Sequence, residues 1–558
     1  MRMQKFETTT SLATKMLFRP GSYIGLYKKR HMKQIHLLII FICTILIYSG
    51  CNKREYSKPG PSLIYLDFNR EITNAGILPV IFQGEKYVSY ERGVTDTCLN
   101  LTKTALYRKP VIIDKGHNNS FNDYEGLTLL IWVKSDESDP YEYVVAGQKL
   151  PSDDFQKYQG WHISKTPTGS WMWEASDGEK TIRYKPSHKQ QPVNDGKWHQ
   201  IGFSLNKQLR EARFYYDGNL KAILSMEAIE NPFPGSSLFI GSDPMARDIR
   251  IETFNGMIDE LGIWSRTLSD NQVAGHYRKI RGKNLRPLPE YNDSITIMTW
   301  NIWNGGTSHG KYAGIQRITD IIKHSGADVI SLQETLNAGE IIAGELDYYF
   351  YKRSDNLSVI SRFPLKKSFN VYRPLHFGCI QIDIGNDKEI LVSPVWLSRQ
   401  PNLSAYFMKE NARADTIEVR EMETRGMETR LLLSELRPLI QSNNKTTSII
   451  AGDFNSGSHL DWTERNKERH NDLVVEFPAS KFMYEEGFSD VYRSIFPDET
   501  TSPGLTWSPI HKDGLQTRMD FIYFRGETLE PTSARVIDTW PSGFPSDHAA
   551  VVASFKVK

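Results

Sequence analysis

Near residue 281 the hydrophobic period of the chain changes, and that change sets what it can fold into. Before it the sequence is strand-like throughout: LTLLIWVK at 127–134, EYVVAG at 142–147, SWMWEA at 170–175, WHQIGFSL at 198–205, ARFYYDG at 212–218 and SLFIGS at 237–242. Asn194-Asp195-Gly196, Asp217-Gly218 and Pro234-Gly235 separate these runs, and such turns between short strands predict an antiparallel sandwich. After it strands alternate with helical spacing: SITIMTWNIW from 294, IQRITDIIKHSG ending in glycine, then ADVISLQE. Met427 to Arg437 predicts a further helix on Leu431, Leu432, Leu433 and Leu436, ended or kinked by Pro438. Alternation of this kind implies a layered α/β sandwich. Between the two lies RGKNLRPLPEYND at 281–293, proline-containing and charged, a linker by composition. The expected organisation is multidomain, with an all-β sandwich over 62–280 and an α/β sandwich over 294–558. Each has its own core and is expected to fold alone when cut near 285.

Charge narrows the function classes. The 68 Lys and Arg nearly balance 66 Asp and Glu, but residues 1–50 hold eight of the bases and only one acid, so the remainder is net acidic. Within 294–558 there are 29 Lys/Arg against 34 Asp/Glu, which gives no support to extended polyanion binding. Four cysteines, at 43, 51, 98 and 379, are too few for a disulfide-stapled scaffold.

Residues 37–48, LLIIFICTILIY, are apolar except for one Thr, follow Lys33 and His36, and precede Ser49-Gly50-Cys51. The run is shorter than the roughly 20 residues that span a bilayer, which makes it a signal peptide. It resembles a bacterial lipoprotein signal, although Tyr48 replaces the aliphatic residue usual three before the cysteine. The resemblance implies a leader and signal over 1–51 with a start at Met32, lipidation of Cys51, and a tether over 52–61. It also implies a place in the bacterial cell envelope, lipid-anchored to a membrane and either periplasmic or surface-exposed.

Trp132, DGKWH at 195–199, YYDG at 215–218 and FNGMIDELGIWSRTLS at 254–269 resemble the laminin-G-like, concanavalin-type jelly roll. That resemblance implies carbohydrate as a ligand, in some members with Ca²⁺. Tryptophan at alternating strand positions is more often the mark of a core, so an accessory module is the reading the residues themselves support.

Polar residues recur at the strand ends of the second half: Asn301 and Asn304, Gln333-Glu334, Gly452-Asp453-Phe454-Asn455, Arg518-Met519-Asp520, and Ser546-Asp547-His548. Together with a VISR strand before Pro364 and GLTW at 504–507, this order resembles the endonuclease/exonuclease/phosphatase superfamily, a DNase-I-like four-layer sandwich. Phosphoester hydrolysis needs a placed water and neutralised phosphoryl oxygens. Glu334 is a hard oxygen ligand suited to Mg²⁺, or Mn²⁺, with Asn301 adding a carbonyl and Asp547 a carboxylate. Asp453 would orient or deprotonate water, and Asn455 would donate to the transition state. A cationic His548 would donate to a phosphoryl oxygen, its pKa raised by Asp520. The family's second histidine is absent, since the strand reads Val395-Trp396-Leu397. His459 and Asp461 follow GDFN and are candidates for substrate binding or for a turn. Arg425 or Arg430, in VREMETRGMETR, is a candidate phosphate ligand or part of a solvated helix face.

The leading expectation is thus a secreted or surface-anchored, Mg²⁺-dependent phosphodiesterase. Its substrate class stays open among lipid head groups, glycan phosphodiesters and nucleic acid. The alternatives are an extracellular nuclease, or a non-catalytic carbohydrate-binding protein on an inactivated phosphoesterase scaffold.

Overall fold

The computed structural model describes residues 59–558 except 85–87, 103–110, 116–120, 137–140, 152–156, 244–252, 283–284, 286–288 and 443–445. Cys51, the expected signal peptide and most of the expected tether lie outside the described residues. No helix among the described residues is long and apolar enough to cross a membrane.

The first body is an all-β sandwich. One of its sheets has seven strands, among them Tyr143–Pro151, Tyr158–Lys165, Trp171–Asp177 and Leu238–Ile240. The facing layer is built on Gly126–Lys134, His199–Asn206, Glu211–Tyr216 and Met257–Trp264. Trp161, Trp171 and Trp173 pack between the layers against Phe203 and Phe214, so these tryptophans are core rather than sugar platforms. Asp217-Gly218 turns the strand Glu211–Tyr216 into Asn219–Ser225; Gly218 has φ 73°, and the Tyr277 ring lies where a Cβ would stand. Helix Asp270–Arg281 closes the body, opened by a capping box between Ser269 and Gln272 and ended by Gly282 in the left-handed conformation.

The second body is the layered α/β sandwich. Strand Ser294–Asn301 pairs in parallel with Val329–Gln333 and antiparallel with Ala550–Val557 in one sheet. The other sheet has six strands, with Lys388–Trp396, Thr447–Asp453 and Asp520–Arg525 at its centre. Helix Lys311–Ser325 covers the first sheet through Ile315, Ile318, Ile321 and Ile322, which recur at helical spacing and are all buried. Helix Met427–Ser442 packs on the second through Leu432, Leu433, Leu436 and Ile440. It runs on past Pro438, held in place by buried residues on either side, while Leu431 faces outward at 42% exposure.

The two bodies are not separate modules. Strand Asn219–Ser225 of the sandwich pairs in parallel with Tyr349–Lys352 of the second body, in the register Ala222–Phe350, Ile223–Tyr351 and Leu224–Lys352. A single 14-stranded sheet therefore runs through both. One apolar cluster also spans the junction, joining Tyr215, Ile223 and Trp264 to Tyr351, Leu365 and Ile382. Buried polar contacts reinforce it: the Ser368 hydroxyl donates to Glu211, and Arg353 Nη1 lies 3.0 Å from Glu227 Oε2. Independent folding after a cut near 285, expected from the sequence, is corrected by this arrangement, because the cut pieces would expose a paired edge and unpaired buried charge.

Candidate active site

Sheet register brings the polar strand ends together. Asp453 ends its strand opposite Asp520 on one side and beside Trp396 on the other. In the facing sheet Asn301 is paired with Gln333, which places Glu334 one residue beyond. The two sheets are tied at this end by the Ser331 hydroxyl donating to Ala451 O at 2.7 Å. The last strand is locked to the first by Trp300 Nε1–H donating to His548 O and the Ser546 hydroxyl donating to Asn301 O.

His548 and Asp520 are buried, with Nδ1 2.9 Å from Asp520 Oδ2, and the His548 Nε2 lies 3.8 Å from Asp453 Oδ2. Burial alone would push the His548 imidazolium down, but Asp520 and then Asp453 outweigh it and hold it up, to about 10. Burial and the Asp520 charge raise the Asp453 carboxyl, against the pull of His548. Asp453 Oδ1 accepts from Asn455 N at 2.8 Å, and its Oδ2 accepts from the amides of Asn301 and Asn455, each at 3.1 Å. Thr506 of the GLTW segment accepts from the backbone of Met519 and Asp520, and the Trp507 ring stands 4.9 Å from His548, edge-on.

Glu334 is held by Asn301 Nδ2 at 3.1 Å and by the backbone N–H of Asn304 at 3.0 Å. It lines a small, solvent-open cleft of about 80 Å³ with Asp547, Asp453, Asn455 and Trp396. Asp547 Oδ1 is buried without a partner, and its carboxyl is raised by burial and, against the opposing His548 charge, by Glu334. Two hard carboxylates facing one cleft, one with an orphaned oxygen, suit a divalent cation of the Mg²⁺ or Mn²⁺ kind. Asp453, Asp520 and His548 also have ligand-type atoms within 4.8 Å of one another. A protonated His548 disfavours an ion there, since both ring nitrogens then bear hydrogens. Among the described residues of the sandwich no such group occurs, so nothing there favours the Ca²⁺ expectation. Trp303, Asn304, Glu334 and Asn455 all have φ between 48° and 55°, strain concentrated where the polar groups converge.

Several expectations need adjusting. Asn301 accepts from the N–H of Trp303 and gives its amide to two carboxylates, so it bridges Glu334 and Asp453, with one lone pair of its carbonyl left over. Asn455 gives its amide to Leu397 O and Asp453, which leaves the side chain as a brace for the carboxylate. His459 is not among the cleft-lining residues; its Nδ1 is 2.8 Å from Ser480 Oγ and burial pushes its pKa down. Asp461 is buried in ion pairs with Arg493 and Arg518, and Arg518 reaches on to Asp490 at 2.6 Å. Arg425 does line the cleft, 3% exposed, but its Nη2 donates to the carbonyls of Arg399 and Pro401. A π-helical turn, Met422–Gly426, swings it inward, while Arg430 lies over the Phe482 ring. The sequence reading missed the bracing by Thr506 and Trp507, although GLTW was visible as a motif.

Fold and site together define a phosphodiester hydrolase of the layered α/β class. Residues 298–548 match the endonuclease/exonuclease/phosphatase family, and residues 113–274 match the concanavalin A-like lectin/glucanases superfamily, so the chain carries one domain of each kind. An uncharacterized protein of Caenorhabditis elegans is 27% identical over 304 residues, 47% of this chain and 92% of its own length. Among solved structures, TDP2 from Caenorhabditis elegans is similar at 18% identity over 47% of this chain and 74% of that one, with a TM-score of 0.34. An AP endonuclease from Archaeoglobus fulgidus is similar at 17% identity over 47% of this chain and all of its own, with a TM-score of 0.35.

Proposed function

We propose that the chain is a divalent-metal-dependent phosphodiesterase of the bacterial cell envelope, anchored to a membrane through a lipid on Cys51. The carrying observation is the buried His548–Asp520 pair beside Asp453, which lines the cleft together with Glu334 and Asp547. Glu334 and Asp547 would hold Mg²⁺ or Mn²⁺, which when bound supplies neutralisation of phosphoryl charge. His548, kept protonated by Asp520, holds a hydrogen on Nε2 for a phosphoryl or leaving-group oxygen. Asp453, fixed by three N–H donors from Asn301 and Asn455, has lone-pair capacity left to orient water. Trp396 occupies the place of a second histidine beside Asp453, which concentrates proton donation on His548.

The sandwich is proposed as an accessory body that takes carbohydrate, and the substrate as a phosphoester of lipid, glycan or nucleic acid origin. A screen over these three classes, with and without chelator, tests the activity by detecting the phosphomonoester that diester hydrolysis leaves, read as inorganic phosphate after treatment with an added phosphomonoesterase. Hydrolysis of at least one class that stops with chelator is expected, and no hydrolysis of any would overturn the reading. Membrane fractionation of Cys51→Ser tests the anchor: the variant should leave the membrane, and unchanged partition would refute it.

A further inference from the structure

Three tryptophans of the second body stand apart from its cores. Trp303, Trp396 and Trp507 are half-buried and pack into none of the apolar clusters among the described residues. Trp300 and Trp462, by contrast, are core, and Trp540 packs against one. All three of the first set border the candidate active site. Trp396 and Trp507 line the cleft with Glu334, Asp453 and Asp547. Trp303 lies between Asn301, whose side chain accepts its N–H at 3.0 Å, and Asn304, whose N–H holds Glu334 at 3.0 Å. The exposed His511 ring links the frame, 6.2 Å from Trp303 and 6.2 Å from Trp507.

A cleft of about 80 Å³ holds roughly six water-sized groups, which is a phosphoryl group and its ion with little to spare. The groups esterified to that phosphate must therefore rest on the rim. Of the other lining residues, Phe407, Trp462 and Phe477 are closed into a packed core and offer no free face. Arg399 and Asn402 are exposed and Ser404 is half-buried, donors and acceptors of the kind that hydroxyl groups pair with. Flat, half-exposed rings beside guanidinium, amide and hydroxyl groups match a pyranose, which has a C–H face and a hydroxyl edge. An acyl chain would strip water from those polar groups without pairing them. A polynucleotide draws its affinity largely from cations along its path, and the domain has 29 Lys/Arg against 34 Asp/Glu.

We propose that this rim is the subsite for a sugar ring on the ester arm of the substrate, which makes the substrate a phosphodiester of a pyranose. The inference rests on the phosphodiesterase reading and selects one of the substrate classes that reading leaves open. It assigns specificity to Trp303, Trp396 and Asn402, none of which belongs to the proton-transfer or metal-holding groups.

The test uses the full chain with Mg²⁺ and bis(p-nitrophenyl) phosphate. Inorganic phosphate, glycerol 1-phosphate, α-glucose 1-phosphate, thymidine 5′-phosphate and n-octyl phosphate serve as competitive inhibitors. Thermal shift with the same compounds reads the ranking without turnover. Glycerol carries hydroxyls without a ring face, so its comparison with glucose isolates the stacking. A stacked ring is worth roughly two- to tenfold in affinity, so α-glucose 1-phosphate should bind at least about fivefold more tightly than glycerol 1-phosphate. Thymidine 5′-phosphate and n-octyl phosphate should gain less than the glucose ester. Trp396→Leu should cut the glucose advantage to about twofold or less, with binding of inorganic phosphate within about twofold of wild type. Trp303→Leu gives the same reading from the other end of the frame if Trp396→Leu does not fold, and the wild-type ranking decides without either. If phosphate binds but glucose gains nothing over glycerol, or thymidine 5′-phosphate or n-octyl phosphate binds tightest, the sugar subsite is refuted while the phosphodiesterase reading stands. If none of the phosphates binds and nothing is hydrolysed, the underlying reading fails and this inference with it.

Discussion

Replacing Arg353 by methionine should weaken the whole protein, though the residue is in the shared sheet and not in the cleft. Its side chain is fully buried, with Nη1 3.0 Å from Glu227 Oε2, Nε donating to Phe377 O at 2.9 Å and Nη2 donating to Tyr372 O at 3.2 Å. Methionine fills much of the same space but leaves Glu227 unpaired at 18% side-chain exposure, and leaves two carbonyls without their donor. Removing one partner of a buried ion pair costs about 3–5 kcal/mol. Each orphaned carbonyl adds roughly 1 kcal/mol at most here, since such costs overlap and Glu227 recovers some water. The expected loss is therefore about 4 kcal/mol, and Arg353→Met with Glu227→Gln should recover part of it. Urea unfolding followed by tryptophan fluorescence measures this, because buried tryptophans occupy both bodies, Trp132 in the first and Trp300 in the second. One cooperative transition shifted to lower urea is expected for the variant. A loss below about 1 kcal/mol, or two transitions that move independently, would refute the coupling argued from the 14-stranded sheet.

Residues 290–558 made alone should be poorly soluble and should regain solubility when the sandwich is supplied, as light scattering would show; a soluble monomer with native circular dichroism would count against the shared edge. Asp520→Asn should move the alkaline limb of the rate to lower pH, since His548 then loses the partner that holds its pKa near 10; an unmoved limb in a pH–rate profile would remove His548 as the proton donor. Burial, with a smaller push from Lys279, lowers the His276 pKa to about 4, so between pH 6.5 and 4 the unfolded chain binds a proton that the folded chain does not, and stability falls as pH drops through that window. His276→Phe should reduce the slope of unfolding free energy against pH there by about one proton, and an unchanged slope in urea titrations would refute the assignment.

The sequence already showed much of this molecule, and the parts it hid have physical reasons. Short strands with Asp-Gly turns marked the sandwich because the φ 73° at Gly218 is open mainly to glycine. Asp453, Asp520 and His548 were legible as a set because each sits at a strand end, where register alone brings them together. The joined sheet was not legible: Asn219–Ser225 and Tyr349–Lys352 look like ordinary half-buried strands, and their pairing is set by tertiary packing. His459 looked close to the site because it follows GDFN by a few residues. The backbone turns at Asn455, φ 48°, and Ser456, Gly457 and Trp462 line the cleft, while His459 between them is bonded to Ser480 and is not among the lining residues. METRGMETR looked like a solvated face at α-helical period, and the π turn that rotates Arg425 inward leaves no trace in that pattern.

The most direct test of the central claim is the Mg²⁺ dependence of bis(p-nitrophenyl) phosphate hydrolysis by the wild-type chain and by Glu334→Gln. Wild-type hydrolysis should stop with chelator and return with added Mg²⁺, whereas Glu334→Gln should need at least about tenfold more Mg²⁺ and recover only part of the rate. Chelator-insensitive hydrolysis, or a Glu334→Gln titration that overlays the wild type, would contradict a metal-dependent phosphodiesterase centred on Glu334 and Asp547.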